Sequence, residues 1–163
     1  MGRGEEDMQE YYRDTWAEID LDAIAYNVKQ IKKLHPTKEI FAVVKANGYG
    51  HGDAEVSKVA IEAGVSCLAV SGLDEALRLR QSGIEVPILV LGMTRLKDVS
   101  LAAENNISLT AHDEVWINHL VSLPLEKKIK VHLKIDSGMH RLGLMDANQI
   151  QTNFNLLKTA PMV

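Results

Sequence analysis

Two rhythms of apolar and polar residues take turns along this chain. The runs "IFAVV", "CLAV", "VPILVLG", "ISLTA" and "IKVHLKID" are short and nearly continuous, as expected of strands buried on both faces. Between them the apolar residues fall at spacings of three and four, which predicts helices. "DAEVSKVAIEAG" sets Val56, Val59, Ala60 and Ala63 on one face, and Gly64 suits a C-terminal stop. "LDEALRLRQSG" predicts a helix stopped at Gly83, and "RLKDVSLAAENN", "HDEVWINHLVS" and "MDANQIQTNFNLLKT" predict three more. Ahead of these, "TWAEIDL" alternates and predicts a short strand. Asp20 or Asp22 then caps a helix carrying Leu21, Ile24, Val28 and Ile31 on one face.

Strand centres recur about every 20 to 26 residues, each followed by a helix. That alternation predicts an α/β fold made of right-handed βαβ units, with a parallel sheet covered by helices. A doubly wound sheet and a (β/α) barrel both fit. From "IFAVV" onward there are five strands, whereas a closed barrel needs eight, over roughly 250 residues. The chain reaches "KTAPMV" just after a helix, where another strand is due, so an incomplete barrel is expected. Residues 1–15 are expected to be loose and residues 16–163 to form one body.

Composition narrows the function classes. The net charge of −4 gives no electrostatic reason to bind nucleic acid, and Trp16, Trp116 and the tyrosines do not interleave with basic residues. The lone cysteine, Cys67, excludes an intrachain disulfide framework, and its place in "CLAVSG" predicts a buried, inert thiol. His35, His51, His112, His119, His132 and His140 form no ligand pattern, so no metal site is expected. No run approaches the roughly 18 apolar residues of a membrane span, and "MGRGEEDMQEYY" is too polar for a signal peptide. A soluble cytoplasmic protein is expected.

The candidate chemistry lies in "VVKANGYGHG". Lys45 follows a buried strand and precedes a glycine-rich loop. It is not a phosphate loop, because the lysine comes before the glycines, and the glycine spacing is wrong for a dinucleotide fingerprint. Lys45 either snorkels to solvent or works at the C-terminal end of a parallel strand, where ligands bind in both candidate architectures. A partly desolvated lysine there is a neutral nucleophile suited to carbonyl chemistry. A second group lies in "HLKIDSGMHRLG". Lys134 and Arg141 are two cations near one mouth, which repel unless an anion lies between them. The plain alternative is that Lys134 pairs with Asp136 and Arg141 is a surface charge.

"RDTWAEIDLDAI", "AVVKANGYGHG", "LDEALRLRQSGIEVPILVLG" and "LKIDSGMHRLG" together resemble, in matching order, the amino-terminal part of bacterial alanine racemase. The resemblance implies a pyridoxal-phosphate enzyme with an eight-stranded α/β barrel and a mostly β carboxy-terminal domain. It implies a homodimer with shared active sites that interconverts L- and D-alanine for cell-wall synthesis. Lys45 then matches the lysine that holds pyridoxal phosphate as an aldimine and serves as one of two bases. Tyr49 matches the tyrosine that reaches the cofactor phosphate, Leu91 an apolar contact to the cofactor, and Arg141 the arginine beside the ring hydroxyl. Lys134 matches a lysine that is carbamylated in some members.

This chain departs from the pattern in three places. Gly48 stands where the family loop usually has alanine, and His140 stands where glycine is common, crowding the loop that aims Arg141. The family's second base, a tyrosine of the carboxy-terminal domain supplied by the partner subunit, has no counterpart in these residues, and neither does the arginine facing the pyridine nitrogen. The resemblance therefore implies a fragment that is not competent alone. A racemase for serine or lysine, and a single-domain pyridoxal-phosphate-binding barrel without racemase activity, remain alternatives.

Overall fold

A computed structural model describes residues 12, 14–161 and 163. The expectation for residues 1–15 falls largely outside them. Helix α1 (Leu21–Leu34) starts where Asp20 caps it, its carboxylate accepting the Ala23 N–H at 2.9 Å. The strand expected at "TWAEIDL" is not formed, and residues 15–20 carry no regular structure. They alternate in polarity, but among the described residues no strand forms there; Trp16 Nε1 donates to Glu18 Oε1 at 3.1 Å, and the side chain stays 60% exposed.

Five parallel strands follow: β1 (Phe41–Val43), β2 (Cys67–Val70), β3 (Ile88–Val90), β4 (Ile107–Ala111) and β5 (Val131–Leu133). After β1 come a single turn, α2 (Lys45–Tyr49), and helix α3 (Asp53–Glu62). Helices α4 (Leu73–Gln81), α5 (Val99–Glu104) and α6 (Glu114–Leu120) lie between the later strands, and α7 (Ala147–Thr159) follows β5. The "RLKDVSLAAENN" segment divides into a 3₁₀ turn at Leu96–Asp98 and α5.

Each strand pairs with its successor, giving the order β1-β2-β3-β4-β5. A doubly wound sheet reverses direction at a switch point. This one never reverses, which is the order of a barrel. Curvature supports the same conclusion. Phe41 on β1 and His132 on β5 meet edge to face, with ring centroids 6.2 Å apart. Laid flat, strands four spacings apart would be separated by about 19 Å. In an eight-stranded barrel the first and fifth strands are diametrically opposed, so their concave-face side chains point at each other.

The register assigns the two faces of the sheet. Phe41 pairs with Cys67, Val43 with Ala69, Ala69 with Leu89, Leu89 with Ser108, and Thr110 with His132. These residues share the concave face. The opposite face carries Leu68, Val70, Ile88, Val90, Ile107 and Leu109, all at most 1% exposed. They pack with Ala60, Ala76, Leu79, Ala102, Ile117 and Leu120 from the helices. Full burial of one such Leu, Val or Ile side chain stabilises by about 1.5–3 kcal/mol, so this face supplies most of the core. Cys67 is buried as expected, and burial, reinforced by the charge of Glu39, pushes its thiol up to about 11. It is inert at neutral pH.

Candidate functional site

Lys45 comes directly after Val44, whose ψ of 19° ends the extended run of β1. Leu91 and Lys134 continue past β3 and β5, their N–H groups bonded to the Val70 and Ala111 carbonyls at 2.8 Å each. Three of the five predicted site residues thus stand at the mouth, at the C-terminal ends of the strands, where (β/α) barrels carry their chemistry.

Lys45 is half-buried. Among the described residues its amine makes no hydrogen bond or ion pair, and its one charged-group contact is the Tyr49 ring, 5.9 Å from Nζ to the centroid. The chain turns sharply after it. Ala46, Asn47, Gly48 and Tyr49 have φ of 52°, 56°, 60° and 57°. The segment expected to be a glycine-rich loop is a left-handed turn, a conformation that costs roughly 1–2 kcal/mol for each residue with a side chain. Gly48 is the position where that cost is avoided, so its departure from the family's alanine relaxes the turn.

Several bonds fix the turn. Asn47 Oδ1 accepts the Asp53 N–H at 3.1 Å, and the Asn47 carbonyl accepts the Gly52 N–H at 3.0 Å. The His51 ring reaches the Gly48 carbonyl at 3.0 Å. The strongest tie comes from another unit of the fold. Glu75, in the first turn of α4, accepts the Ala46 N–H on Oε1 at 2.6 Å. Its Oε2 accepts the N–H groups of Ser71 at 2.7 Å and Gly72 at 3.1 Å. Inspection of the sequence missed Glu75. The pattern "GLDE" signals an acidic residue closing a helix N-terminus, but nothing in it shows a reach to the residue after Lys45.

On the far side of the mouth, the pairing of Lys134 with Asp136 does not form. Asp136 Oδ1 instead accepts the N–H groups of Gly138 at 2.9 Å and His140 at 3.1 Å, which hold its carboxyl below the ordinary carboxylate range. Among the described residues the Lys134 amine makes no hydrogen bond or ion pair, and neither does the Arg141 guanidinium. The loop carrying Arg141 turns back on the strand end. A side chain at Gly143 would lie 2.7 Å from the Asp136 nitrogen and 3.0 Å from the Lys134 carbonyl oxygen, so only glycine fits. His140 has φ 55°, the left-handed region that favours glycine. Its place in the pattern as a glycine position thus has a backbone cause.

Arg141, Asp136, His140, His112 and Met93 line a cavity of about 340 Å³ that opens at the mouth. His112 is 5% exposed, and its Nε2 lies 2.9 Å from Asp113 Oδ2. Lys45, Tyr49 and Leu91 do not line this cavity. Lys45 and Tyr49 meet at the β1 rim, while Arg141 lines the cavity on the β5 side and Lys134 does not. Leu91 stands on β3's end between them. Among the described residues no group of three or more His, Cys, Asp or Glu is placed to hold a metal ion, and no helix is long and apolar enough to cross a membrane.

The family described as "Alanine racemase, N-terminal domain" matches residues 19–163. The alanine racemase of Geobacillus kaustophilus is 51% identical over 156 residues, which is 94% of this chain and 41% of that protein. The crystal structure of alanine racemase from Bacillus anthracis with bound L-Ala-P superposes with a TM-score of 0.87 at 46% identity, covering 94% of this chain and 40% of that one. A histidine racemase from Leuconostoc mesenteroides superposes with a TM-score of 0.82 at 33% identity, over 87% of this chain and 39% of that one. The chain spans about 40% of the length of these relatives.

Proposed function

We propose that this chain, which belongs to the alanine racemase N-terminal domain family, forms part of the machinery that interconverts L- and D-alanine for cell-wall synthesis. One observation carries the reading. The half-buried Lys45 presents an amine with no ion pair or hydrogen bond to the concave mouth, held there by a turn the backbone adopts only at a cost. Strain of that kind persists where the surroundings impose it, and it clusters at functional sites.

Alanine racemases depend on pyridoxal phosphate. The side chains at the mouth fit that group by charge. Lys45, Lys134 and Arg141 lack protein anions among the described residues, and the cofactor brings a phosphate and a ring hydroxylate. When bound, the cofactor draws electrons from the substrate α-carbon and makes its hydrogen acidic. Lys45 Nζ would hold the cofactor and would move the proton on one face of that carbon. The Tyr49 hydroxyl, on a side chain 60% exposed, is free to donate to the phosphate. Leu91 would supply an apolar wall, and Arg141 would meet the ring hydroxyl. Carbamylation would turn Lys134 into a planar anion that a guanidinium grips with two hydrogen bonds.

The reading extends to a homodimer in the cytoplasm. Alanine is favoured over serine or lysine by the 51% identity to an alanine racemase, while the histidine racemase shows that related barrels carry other substrates. Added pyridoxal phosphate is expected to turn the chain yellow with a single site per chain, and the Lys45→Ala variant to stay colourless under the same conditions. Equal colour in both, read by absorbance after gel filtration, contradicts the assignment.

A further inference from the structure

Glu75 does two jobs with two oxygens. Oε2 accepts the Gly72 N–H, which closes the first turn of α4 in the ordinary way, and also the Ser71 N–H. Helix capping asks for nothing more. Yet Oε1 reaches 29 residues back along the chain and accepts the Ala46 N–H at 2.6 Å, the shortest of its three bonds. Ala46 follows Lys45 directly and carries the first positive φ of the left-handed turn. On the other side of Lys45, the Val44 N–H is held by the Ala69 carbonyl at 2.9 Å. The residues on either side of Lys45 thus both have their N–H groups held, Val44 by the sheet at β2 and Ala46 by Glu75 on α4. A charge-assisted bond of this length is among the stronger ties a backbone amide makes.

We infer that Glu75 is a positioning residue for Lys45: its carboxylate locks Ala46 in the left-handed conformation and so aims the Lys45 amine into the mouth. The inference rests on the proposed role of Lys45 but extends it to a residue on a different βα unit. It explains why a non-glycine residue holds φ 52° directly after the working lysine. It also explains why the α4 N-terminus ends in a carboxylate rather than an amide. A glutamine offers one accepting oxygen, enough for the cap, and an NH₂ that cannot accept the Ala46 N–H.

The test uses the full chain without cofactor and with it. In the apo chain, each lysine is acetylated with dilute acetic anhydride and its rate read by peptide mass, alongside thermal melting. With pyridoxal phosphate, the covalent adduct at each lysine is trapped by borohydride. For Glu75→Gln we expect a melting temperature within a few degrees of the parent. We also expect a change of about threefold or more in Lys45 acetylation relative to the other lysines, and a roughly tenfold loss of trapped adduct at Lys45. Adding Ala46→Gly, which adopts the left-handed turn without a clamp, is expected to restore both readouts, whereas a role confined to capping α4 gives no such rescue. Unchanged Lys45 acetylation and trapping in Glu75→Gln overturns the inference, as does failure of Ala46→Gly to rescue. If the parent traps no adduct at Lys45, the cofactor reading fails, and the acetylation ratio alone still decides the role of Glu75.

Discussion

Replacing Arg80 with alanine is expected to destabilise the chain by about 3 kcal/mol, a larger effect than most single changes produce. Arg80 leaves α4 and spreads its guanidinium over four backbone carbonyls. Nε bonds Asn105 at 3.0 Å, Nη1 bonds Ile84 and Val86 at 2.8 Å each, and Nη2 bonds Asn106 at 3.0 Å. These carbonyls belong to the loops entering β3 and β4, so one side chain ties two βα units together at the end opposite the mouth. Half-burial lowers the pKa of the guanidinium, but it stays charged at any working pH. Each hydrogen bond from a charged donor is worth about 1.5–3 kcal/mol, and some of the loss is recovered by water. Arg80→Lys is expected to recover little, because an ammonium cannot span four acceptors in a fixed fork. At about 2–4 °C per kcal/mol for a chain of this size, the alanine variant should melt roughly 6–12 °C lower. A melting point within about 2 °C of the parent would show that the four bonds contribute little.

Proton exchange at alanine is the second large expected effect. With pyridoxal phosphate and heavy water, the chain is expected to exchange the α-hydrogen of one alanine enantiomer faster than the other. A base on one face touches one of the two. Lys45→Ala is expected to lower that exchange by about 10²–10⁴-fold, the usual worth of a positioned general base. Net conversion of L- to D-alanine by these 163 residues assayed alone is expected at trace level, because the residues at the mouth bring one base to one face. Exchange is read by mass spectrometry and conversion by chiral chromatography. Equal exchange of both enantiomers, or exchange untouched in Lys45→Ala, would remove Lys45 from the reaction.

Most of the fold was legible because the strands and helices are locally consistent. "CLAV", "VPILVLG" and "ISLTA" are apolar on both faces because one face meets helices and the other the barrel interior, and β2, β3 and β4 formed within them. Periodicity alone left a doubly wound sheet and a barrel both open, since the choice lies in strand order, which no local pattern encodes; the resemblance implied the barrel, and the strand order has it. "TWAEIDL" misled because alternation is a local sign, while a strand also depends on tertiary pairing, and residues 15–20 form none of the described strands. At the site, Lys45 and Lys134 were singled out by position at strand ends and Leu91 by the resemblance, and all three follow directly on β1, β3 and β5 or one residue beyond. The expected Lys134–Asp136 pair was plausible by proximity, but backbone N–H groups claim that carboxylate first. The left-handed winding after Lys45 and the reach of Glu75 depend on tertiary contacts between units 29 residues apart. Glycines and an acidic helix start were visible, but their coupling was not.

If Lys45 alone is built to carry the cofactor, peptide mapping after borohydride reduction will find it. The chain is incubated with limiting pyridoxal phosphate, reduced, digested and sequenced by mass spectrometry. One dominant modified peptide is expected, carrying the label at Lys45. Label spread over exposed lysines such as Lys127, Lys128 and Lys158, with Lys45 no more modified than they are, would contradict it.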